Sequence, residues 1–298
     1  MKIIGLDTSA DELGDEYATS QSGKVLIMDG DGPAYVAAAT VKTLPTGIRR
    51  FHMACLEAQF MAEATTVEVH LTHEECYKAG RFKVKAAKPY QGQRSSSAKP
   101  PLLQALRQEI NEADPPPGVF VHMQTVVEAD DAMMMKAYEL GEMGIIRSED
   151  KDLRMTPYPY YDIETGTVLP SDPFGSLYIK EMASGKKLLG RSLKFFWAQM
   201  MMGDGADNIK GLLKLNGKDC GPVNTFDLLH PLTEIGQVCN AVIDAYRAID
   251  QNPLPEAWLL WMLRSPDDNV WKYFNELDWT EANRAFLADC VSRPWFDT

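Results

Sequence analysis

The sequence predicts an α/β fold with a mostly parallel central sheet flanked by helices, followed by a helical C-terminal region. Short apolar runs alternate with helical patterns up to about residue 168, and strands that alternate with helices form parallel sheets. Beyond about residue 175 only helical patterns are recognisable, and loops containing Gly or Pro separate them. With 298 residues the chain is long enough for one large domain or two ordinary ones.

Four short apolar runs next to turn-forming residues predict the strands of the sheet. They span residues 24–28, 67–71, 119–123 and 144–148. The first run is followed by Asp-Gly-Asp-Gly, and the third is preceded by Pro-Pro-Pro-Gly. Both sequences are typical of loops.

Helical spacing of apolar residues predicts the remaining elements. In the first part of the chain one helix begins at Pro33, and three further helices cover residues 48–64, 100–112 and 128–143. In the C-terminal region they cover residues 175–185, 192–202, 223–251, 255–264 and 281–291. Residues 1–23 end in a polar, acidic stretch without periodicity, which predicts a flexible tail.

The composition is that of an ordinary soluble globular protein, with 45% hydrophobic and 24% charged residues. No apolar run reaches the roughly 18 residues that a membrane-spanning helix needs, so we expect an intracellular, cytoplasmic protein. The five cysteines are scattered, odd in number and never spaced as Cys-x-x-Cys. This pattern indicates neither a disulfide framework nor a zinc cluster.

Positive charge is concentrated in a segment that contains no acid. The net charge of −12 would by itself count against a nucleic-acid partner. Residues 78–107, called the basic segment below, nevertheless hold eight Lys or Arg and no Asp or Glu. A second acid-free cluster contains Lys186, Lys187, Arg191 and Lys194. The basic segment is therefore either a binding surface for phosphates or an ordinary solvated loop.

Acidic residues follow three of the predicted strands. Two come after the first strand, three after the third in Glu-Ala-Asp-Asp, and two after the fourth in Glu-Asp-Lys-Asp. Loops at the carboxyl ends of parallel strands converge on one edge of a sheet, so we expect these acids to meet there. They are Asp29, Asp31, Glu128, Asp130, Asp131, Asp150 and Asp152.

Carboxylates that converge on one edge need a cation, because buried unpaired charges are costly and like charges raise one another's pKa. A further pair, Asp204 and Asp207, has the i, i+3 spacing of one helix face. Oxygen-only ligands favour Mg²⁺ or Mn²⁺, and two such ions about 4 Å apart form a clamp for phosphodiester hydrolysis. A helix cap or a solvated turn would explain any single pair, whereas four groups together predict a metal centre.

Five motifs resemble, in order and spacing, the flap endonuclease and 5′-to-3′ exonuclease family, particularly its phage-encoded members. They are VLIMDGDG, KPYQGQR, VVEADDA, IIRSEDKDL and GDGADNIKGL, and they lie between about residues 24 and 229. The resemblance implies a nuclease core at residues 24–185 with a PIN/flap-endonuclease-like fold and a basic helical arch at about 73–112. It also implies a helical C-terminal domain at 186–298 with a helix-three-turn-helix element at about 204–229.

The resemblance implies that the acids bind two Mg²⁺ ions, for which Mn²⁺ can substitute. One ion would activate a water molecule and the other would stabilise the leaving 3′ oxygen of the phosphodiester. The implied metal ligands are Asp29, Asp31, Glu128, Asp130, Asp131, Asp150, Asp152, Asp204 and Asp207. The residues with an implied catalytic role are Asp29, Glu128, Asp130 and Asp131, with Lys88 and Arg94 offsetting charge on the phosphate.

The partner implied by the resemblance is DNA with a 5′ flap or another duplex or single-stranded 5′ end, and RNA in an RNA:DNA hybrid is a further candidate. Phage DNA replication or recombination is the implied setting. In the basic segment the expected DNA contacts are Lys83, Lys85, Lys88, Tyr90, Arg94 and Lys99. In the helix-three-turn-helix element, which often binds K⁺ in the family, they are Lys210, Gly211, Lys214, Gly217, Lys218 and Gly221.

The chain departs from the family pattern at two places. Family members usually carry Tyr-Lys-x-x-Arg in the arch, whereas Tyr90 is followed here by Gln91. Lys88 and Lys85 are the candidates to replace that lysine. Many members also place an aspartate after the second strand, where this chain has Leu-Thr-His, and Asp31 is the candidate replacement.

Two other classes of function fit part of the sequence. DGDG followed by GDGADN mimics the signatures of haloacid-dehalogenase-type phosphatases, but the second late acid of that family would fall at Asn208. The phosphatase interpretation also leaves the basic segment unexplained. A DNA-structure-binding protein with an inactive metal site is suggested by Gln91 and by the missing strand-two acid.

Overall fold

The computed structural model describes residues 23–92, 99–183 and 185–296. Nearly all of the predicted N-terminal tail, and Arg94, lie outside these ranges. A six-stranded sheet forms the centre of the molecule, with strand order β3-β2-β1-β4-β5-β6. Its strands are β1 (Val25–Asp29), β2 (Thr66–Thr72), β3 (Val119–Gln124), β4 (Gly144–Arg147), β5 (Tyr160–Asp162) and β6 (Thr167–Leu169).

The two faces of the sheet pack against different helices. The helices beside and between its strands are α1 (Asp31–Thr40), α2 (Leu44–Met61), α3 (Leu103–Glu112) and α4 (Ala129–Leu140). Leu26 and Met28 of β1 share one core with Phe51 of α2 and Leu106 of α3. Ile27 packs on the opposite face with α4 and the C-terminal helices. Because successive side chains of a strand alternate between faces, the central strand is buried on both sides.

The C-terminal region shares a core with the sheet. Ile27 and Ile146 of the sheet belong to the same buried cluster as Trp197 and Tyr246 of the C-terminal helices. The region begins with a hairpin of β7 (Leu177–Met182) and β8 (Gly185–Gly190). Its helices are α5 (Ser192–Met202), α6 (Pro222–Leu229), α7 (Ile235–Ala248), α8 (Leu254–Leu260), α9 (Val270–Asn275) and α10 (Glu281–Ser292).

The predicted fold class is confirmed. Along the sheet order β3-β2-β1-β4-β5, each strand is parallel to its neighbours. In this sheet only β6 is antiparallel to its neighbour, β5. The four strands predicted from apolar runs lie within one residue of their predicted bounds. These runs were recognisable because apolar residues dominate them, and β1, β2 and β4 are largely buried.

The predicted helix at residues 175–185 and the absence of strands beyond residue 175 are wrong. This stretch forms the β7–β8 hairpin, in which Leu177, Leu188 and Leu189 are buried. Apolar residues at positions 177, 179 and 182 fit a short helix about as well as a strand, so cross-strand pairing decided the outcome. The predicted boundary between residues 185 and 186 falls inside this hairpin. Division of the chain into the two predicted domains stays a prediction.

Other differences concern short or interrupted elements. Strands β5 and β6 and helix α9 were not predicted, since the strands have three residues each and the helix six. The predicted helix at 223–251 is two helices, α6 and α7. Pro231 lies between them, and a proline cannot donate the backbone hydrogen bond that a helix interior requires.

The five cysteines are free thiols. Within the described ranges, no helix is both long and apolar enough to cross a membrane.

Replacement of Phe51 by Ala should lower the free energy of unfolding by about 3–5 kcal/mol, because the side chain is fully buried and a cavity would remain. Phe60→Ala in the same helix is the matched control. That ring is 67% exposed, so its loss should change stability by less than about 0.5 kcal/mol. Urea unfolding of both variants measures the difference, and equal losses would contradict the assigned core.

Candidate metal and nucleic-acid site

The carboxyl ends of β1 and β4 bring the first acids together. Asp29 is the last residue of β1, and its Oδ1 accepts the backbone N–H of Asp31 at 2.9 Å. Its Oδ2 accepts the hydroxyl of Ser148, just beyond β4, at 3.1 Å. The same Ser148 oxygen accepts the backbone N–H of Asp150 at 2.9 Å. Ser148 thus connects the acids that follow the two strands.

Six of the predicted acids line one cavity of about 70 Å³ at this edge. The cavity is large enough for ions and a few waters but not for a nucleotide. Arg81, Tyr90 and Gln91 of the basic segment line it from one side, and residues at and after the end of α8 from another. The lining acids are Glu128, Asp130, Asp131, Asp150, Asp152 and Asp207.

Asp130 is surrounded by other carboxylates. Burial raises the pKa of its carboxyl group, and the charges of Asp150 and Asp29 raise it further. Burial, together with the charge of Asp31, raises the pKa of Asp29 to about 6. Within the described ranges no ion pair involves Asp130. A positive ion at this position would relieve the repulsion among these groups.

Asp152, Asp204 and Asp207, called the carboxylate triad below, each offer one oxygen within 4.8 Å of the others. Burial raises the pKa of Asp152 to about 7, against the opposing effect of Lys151. Gln199 of α5 donates its side-chain amide to Asp152 Oδ1. The triad therefore joins the loop after β4 to the loop after α5, and its donors are all oxygens, the ligands that Mg²⁺ and Mn²⁺ prefer.

Asp131 is placed differently from Asp130, although the two are adjacent in sequence. It is fully buried and forms a bidentate ion pair with Arg81, with N···O distances of 2.6 and 2.8 Å. The backbone N–H of Leu263 also donates to Asp131, and Arg81 donates to the carbonyl oxygen of Trp261. This pair fastens the basic segment to α4 and to the chain after α8.

Glu128 precedes α4 and is held by cations of the basic segment. Its Oε1 lies 2.9 Å from Lys78 Nζ, and its Oε2 lies 3.2 Å from Arg81 Nη1. The hydroxyl of Tyr90 donates to Oε2 at 2.8 Å. Burial raises the pKa of Glu128, but the two cations outweigh it and the net pKa is lowered. Glu128 is therefore a charged carboxylate that is neutralised by Lys78 and Arg81.

Asp31 is the first residue of α1, and its side chain reaches the carboxyl end of β2. Its carboxylate accepts the backbone N–H of Thr72 and forms an ion pair with Arg107 at 2.6 Å. Burial raises its pKa, with Arg107 opposing. Like Asp29 and Asp204, Asp31 is not among the residues that line the cavity; unlike them, it is paired with Arg107.

The segment that joins α5 to α6 carries two of the predicted acids and the second set of predicted DNA contacts. Its first turn is closed by the bridge between Asp204 and Ile209, and a second turn by the bridge between Leu215 and Lys218. The predicted helix-three-turn-helix element covers this segment and α6, and its role stays a prediction.

Two glycines of this segment meet at short range. An added Cβ at Gly211 would lie 2.4 Å from the Gly203 backbone nitrogen, and both residues have positive φ. Gly211 is therefore needed for internal packing. Among the other predicted DNA contacts of this segment, Lys214, Gly217 and Lys218 are exposed, whereas Lys210 and Gly221 are partly buried.

The predicted DNA contacts of the basic segment lie mostly at the surface. Lys83, Lys85, Lys88 and Lys99 are exposed, and none of them lines the cavity. Arg94 lies outside the described residues. Tyr90 is buried in the cavity wall, where Gln91 donates to it and to Asp207 Oδ1. The basic segment thus forms one wall of the cavity: Tyr90 and Gln91 face the cavity, and the exposed lysines lie on the solvent side.

Glu256 of α8 connects the basic segment to the segment that joins α5 to α6. It is almost completely buried, and its Oε1 accepts the backbone N–H of Ala87 at 3.1 Å. The backbone N–H groups of Gly211 and Lys210 also favour its charged form, although burial raises its pKa overall.

The sequence analysis did not identify the cationic and hydrogen-bonding side chains that contact the acids of the site. Lys78 and Arg81 belong to the basic segment, but nothing in the sequence shows that they turn inward to acids. Lys151 gave a signal, because it stands between two acids in Glu-Asp-Lys-Asp. Ser148 and Gln199 gave none, since each contacts an acid that is distant in sequence.

Three solved structures are similar to this chain over most of its length. The D15 protein of bacteriophage T5, co-crystallised with metal ions, has 13% identity over 90% of this chain and 98% of its own, with a TM-score of 0.49. The D15 flap endonuclease of bacteriophage T5 in a pseudo-enzyme-product complex with DNA and metal ions has 14% identity, 90% and 99% coverage and a TM-score of 0.44. The catalytic core of Rad2 with DNA substrate has 12% identity, 96% and 85% coverage and a TM-score of 0.40. No protein-family model and no curated protein matches the chain.

Asp131→Asn should lower the free energy of unfolding by about 3–5 kcal/mol, because it leaves the buried guanidinium of Arg81 without its carboxylate. Asp130→Asn is the matched comparison. It removes one charge from a group of like charges, so it should raise stability. Urea unfolding at pH 7 without divalent ions measures both, and a loss of similar size in the two variants would contradict the different roles of these neighbours.

Asp29→Asn should gain stability relative to the native protein as the pH rises from about 4 to about 6. The pKa of Asp29 is about 6 in the folded chain and about 3.9 in an unfolded one. The folded state therefore holds this proton more tightly, and its stability falls as the proton is lost. Unfolding of both proteins between pH 4 and 8, without divalent ions, should show this difference growing and then levelling. A pH-independent difference would refute it.

Proposed function

We propose that this protein is a divalent-metal-dependent nuclease that hydrolyses DNA phosphodiesters near 5′ ends, as a 5′-to-3′ exonuclease and flap endonuclease. One observation carries the proposal. Acids from four separate stretches of the chain meet at the carboxyl edge of the sheet, and burial and mutual repulsion raise the pKa of several of them. The five ordered motifs that resemble the flap endonuclease family, and the basic segment beside the acids, support the choice of substrate.

The donor set fits hard divalent ions. Mg²⁺ or Mn²⁺ would be held by Asp130, Asp150 and Asp29 on one side and by the carboxylate triad on the other. When bound, such ions supply an activated water and stabilise negative charge on the phosphate. A K⁺ ion at the turns between α5 and α6 belongs to the same proposal.

The chain's own residues would position the substrate around these ions. Glu128, with its cations Lys78 and Arg81, forms the wall of the cavity towards the basic segment. The exposed lysines outside that wall would contact phosphates along the DNA, as would those between α5 and α6. Because Asp131 is committed to Arg81, its proposed part is to fix α4, so that Asp130 faces the cavity.

Lys88 and Arg94 keep their proposed role in offsetting charge on the scissile phosphate. Lys88 is exposed and two residues from Tyr90, so it would reach a phosphate only at the mouth of the cavity. We include RNA in RNA:DNA hybrids among the substrates and phage DNA replication or recombination as the setting, as the family resemblance implies.

Asp130→Asn should reduce cleavage of a 5′-labelled flap substrate by at least about 100-fold while the protein stays folded, because it removes the carboxylate most in need of a metal ion. The native protein should cut flap, blunt duplex or hybrid substrates in Mg²⁺ or Mn²⁺, and not in EDTA. Product lengths separate exonuclease from flap cutting.

The control for this experiment is Asp114→Asn, an exposed acid near the amino end of β3, at the opposite edge of the sheet. It should cleave at the native rate. Full metal-dependent cleavage by the Asp130 variant would contradict the proposal. Release of inorganic phosphate alone would indicate a phosphatase, and a shifted band without products would indicate a DNA-binding protein.

A further inference from the structure

Lys151 lies against the carboxylate triad. Its Nζ is 2.7 Å from Asp152 Oδ1 and 3.1 Å from Asp204 Oδ2. Asp204 is almost fully buried, while the Lys151 side chain is 22% exposed. The ammonium group therefore reaches from the solvent side onto two carboxylates of the triad, whose oxygens lie within 4.8 Å of one another.

An ammonium ion and a divalent metal at the triad compete for the same two carboxylates. A metal ion of this class binds carboxylate oxygens at about 2.1 Å, inside the space that the ammonium hydrogens use. The two cations would also repel each other at such short range, and the protein interior screens that repulsion weakly. Binding of a metal ion at the triad is therefore opposed by Lys151 and favours its release.

Lys151 is able to leave without movement of the backbone. It is the first residue of a short 3₁₀ helix, Lys151–Met155, whose start is fixed by Asp150 accepting the backbone N–H of Asp152 at 2.9 Å. A lysine side chain has a flexible four-carbon stem and a strongly hydrated ammonium group. Partial exposure gives it a path to water.

The other cation contacts in the cavity differ from this one. Arg81 is buried and bidentate to Asp131, so it cannot be displaced without unfolding the wall. Asp130 has no ion pair within the described ranges. An ion bound to Asp130 would therefore displace no cation from that carboxylate, whereas an ion at the triad would compete with Lys151.

We propose that Lys151 is a built-in competitor of the metal ion at the carboxylate triad and sets the metal affinity of that group. The proposal rests on the metal-dependent function proposed above. Without metal, the ammonium neutralises part of the triad's charge and keeps the loops after β4 and α5 together. With metal, it is released towards solvent and the incoming phosphates. The triad is thereby the weaker of two metal positions.

Lys151→Met should bind Mn²⁺ at the triad at least about 10-fold more tightly than the native protein, because the competitor is gone. Binding is measured on the full chain without DNA, by titration calorimetry or from the electron paramagnetic resonance signal of free Mn²⁺. Lys151→Arg keeps the positive charge and adds a forked donor that matches carboxylates. It should fold and bind Mn²⁺ no more tightly than the native protein.

Lys180→Met is the control, since Lys180 is also paired with an acid, Glu164, but lies on the β7–β8 hairpin. It changes the net charge equally and should leave Mn²⁺ binding unchanged. Native or weaker Mn²⁺ affinity in Lys151→Met, or tighter affinity in Lys151→Arg, would overturn the competition.

Asp204→Asn separates this inference from the proposed function. If it abolishes the weaker Mn²⁺ site while Lys151→Met has no effect, the metal centre stands and the competition fails. If Asp204→Asn and Asp130→Asn both leave Mn²⁺ binding unchanged, the metal centre itself is absent and the proposed function fails with the competition.

Discussion

Repulsion among carboxylates at one edge of the sheet is the constraint on which the arrangement of this protein depends. Asp29, Asp130 and Asp152 are partly buried close to other acids, and in each the pKa is raised. A fold does not retain such a cluster for stability, since apolar residues would pack there at lower cost. The cluster is therefore best understood as a functional one, and the rest of the site as the means of keeping it together.

The chain neutralises the cluster with cations of two kinds. Arg81 forms a rigid bidentate pair inside the wall, where a planar guanidinium matches a carboxylate and is not easily exchanged. Lys78 and Lys151 are partly exposed and hold their acids by single contacts. The arginine thus has a structural part, whereas the lysines reach their acids from the solvent side.

The sequence was sufficient to predict the parallel sheet and the edge at which the acids lie, because both follow from where strands end. It was not sufficient to distinguish Asp130 from Asp131, since that difference depends on Arg81, fifty positions away in the chain. The hairpin at residues 177–190 was also not predicted, because its strands are stabilised by pairing with each other and by contacts with α6. In general, features set by local pattern were predicted, and those set by distant partners were not.

The C-terminal third contains no recognisable motif beyond α6, yet it supplies the backbone groups of Trp261 and Leu263 that hold the Arg81–Asp131 pair, and Glu256, which holds Ala87. These contacts have a consequence for dissection of the chain. A fragment ending after α6 would retain every acid of the cluster but lose the scaffold that orients them. A unit able to assemble this centre must thus extend at least to Leu263.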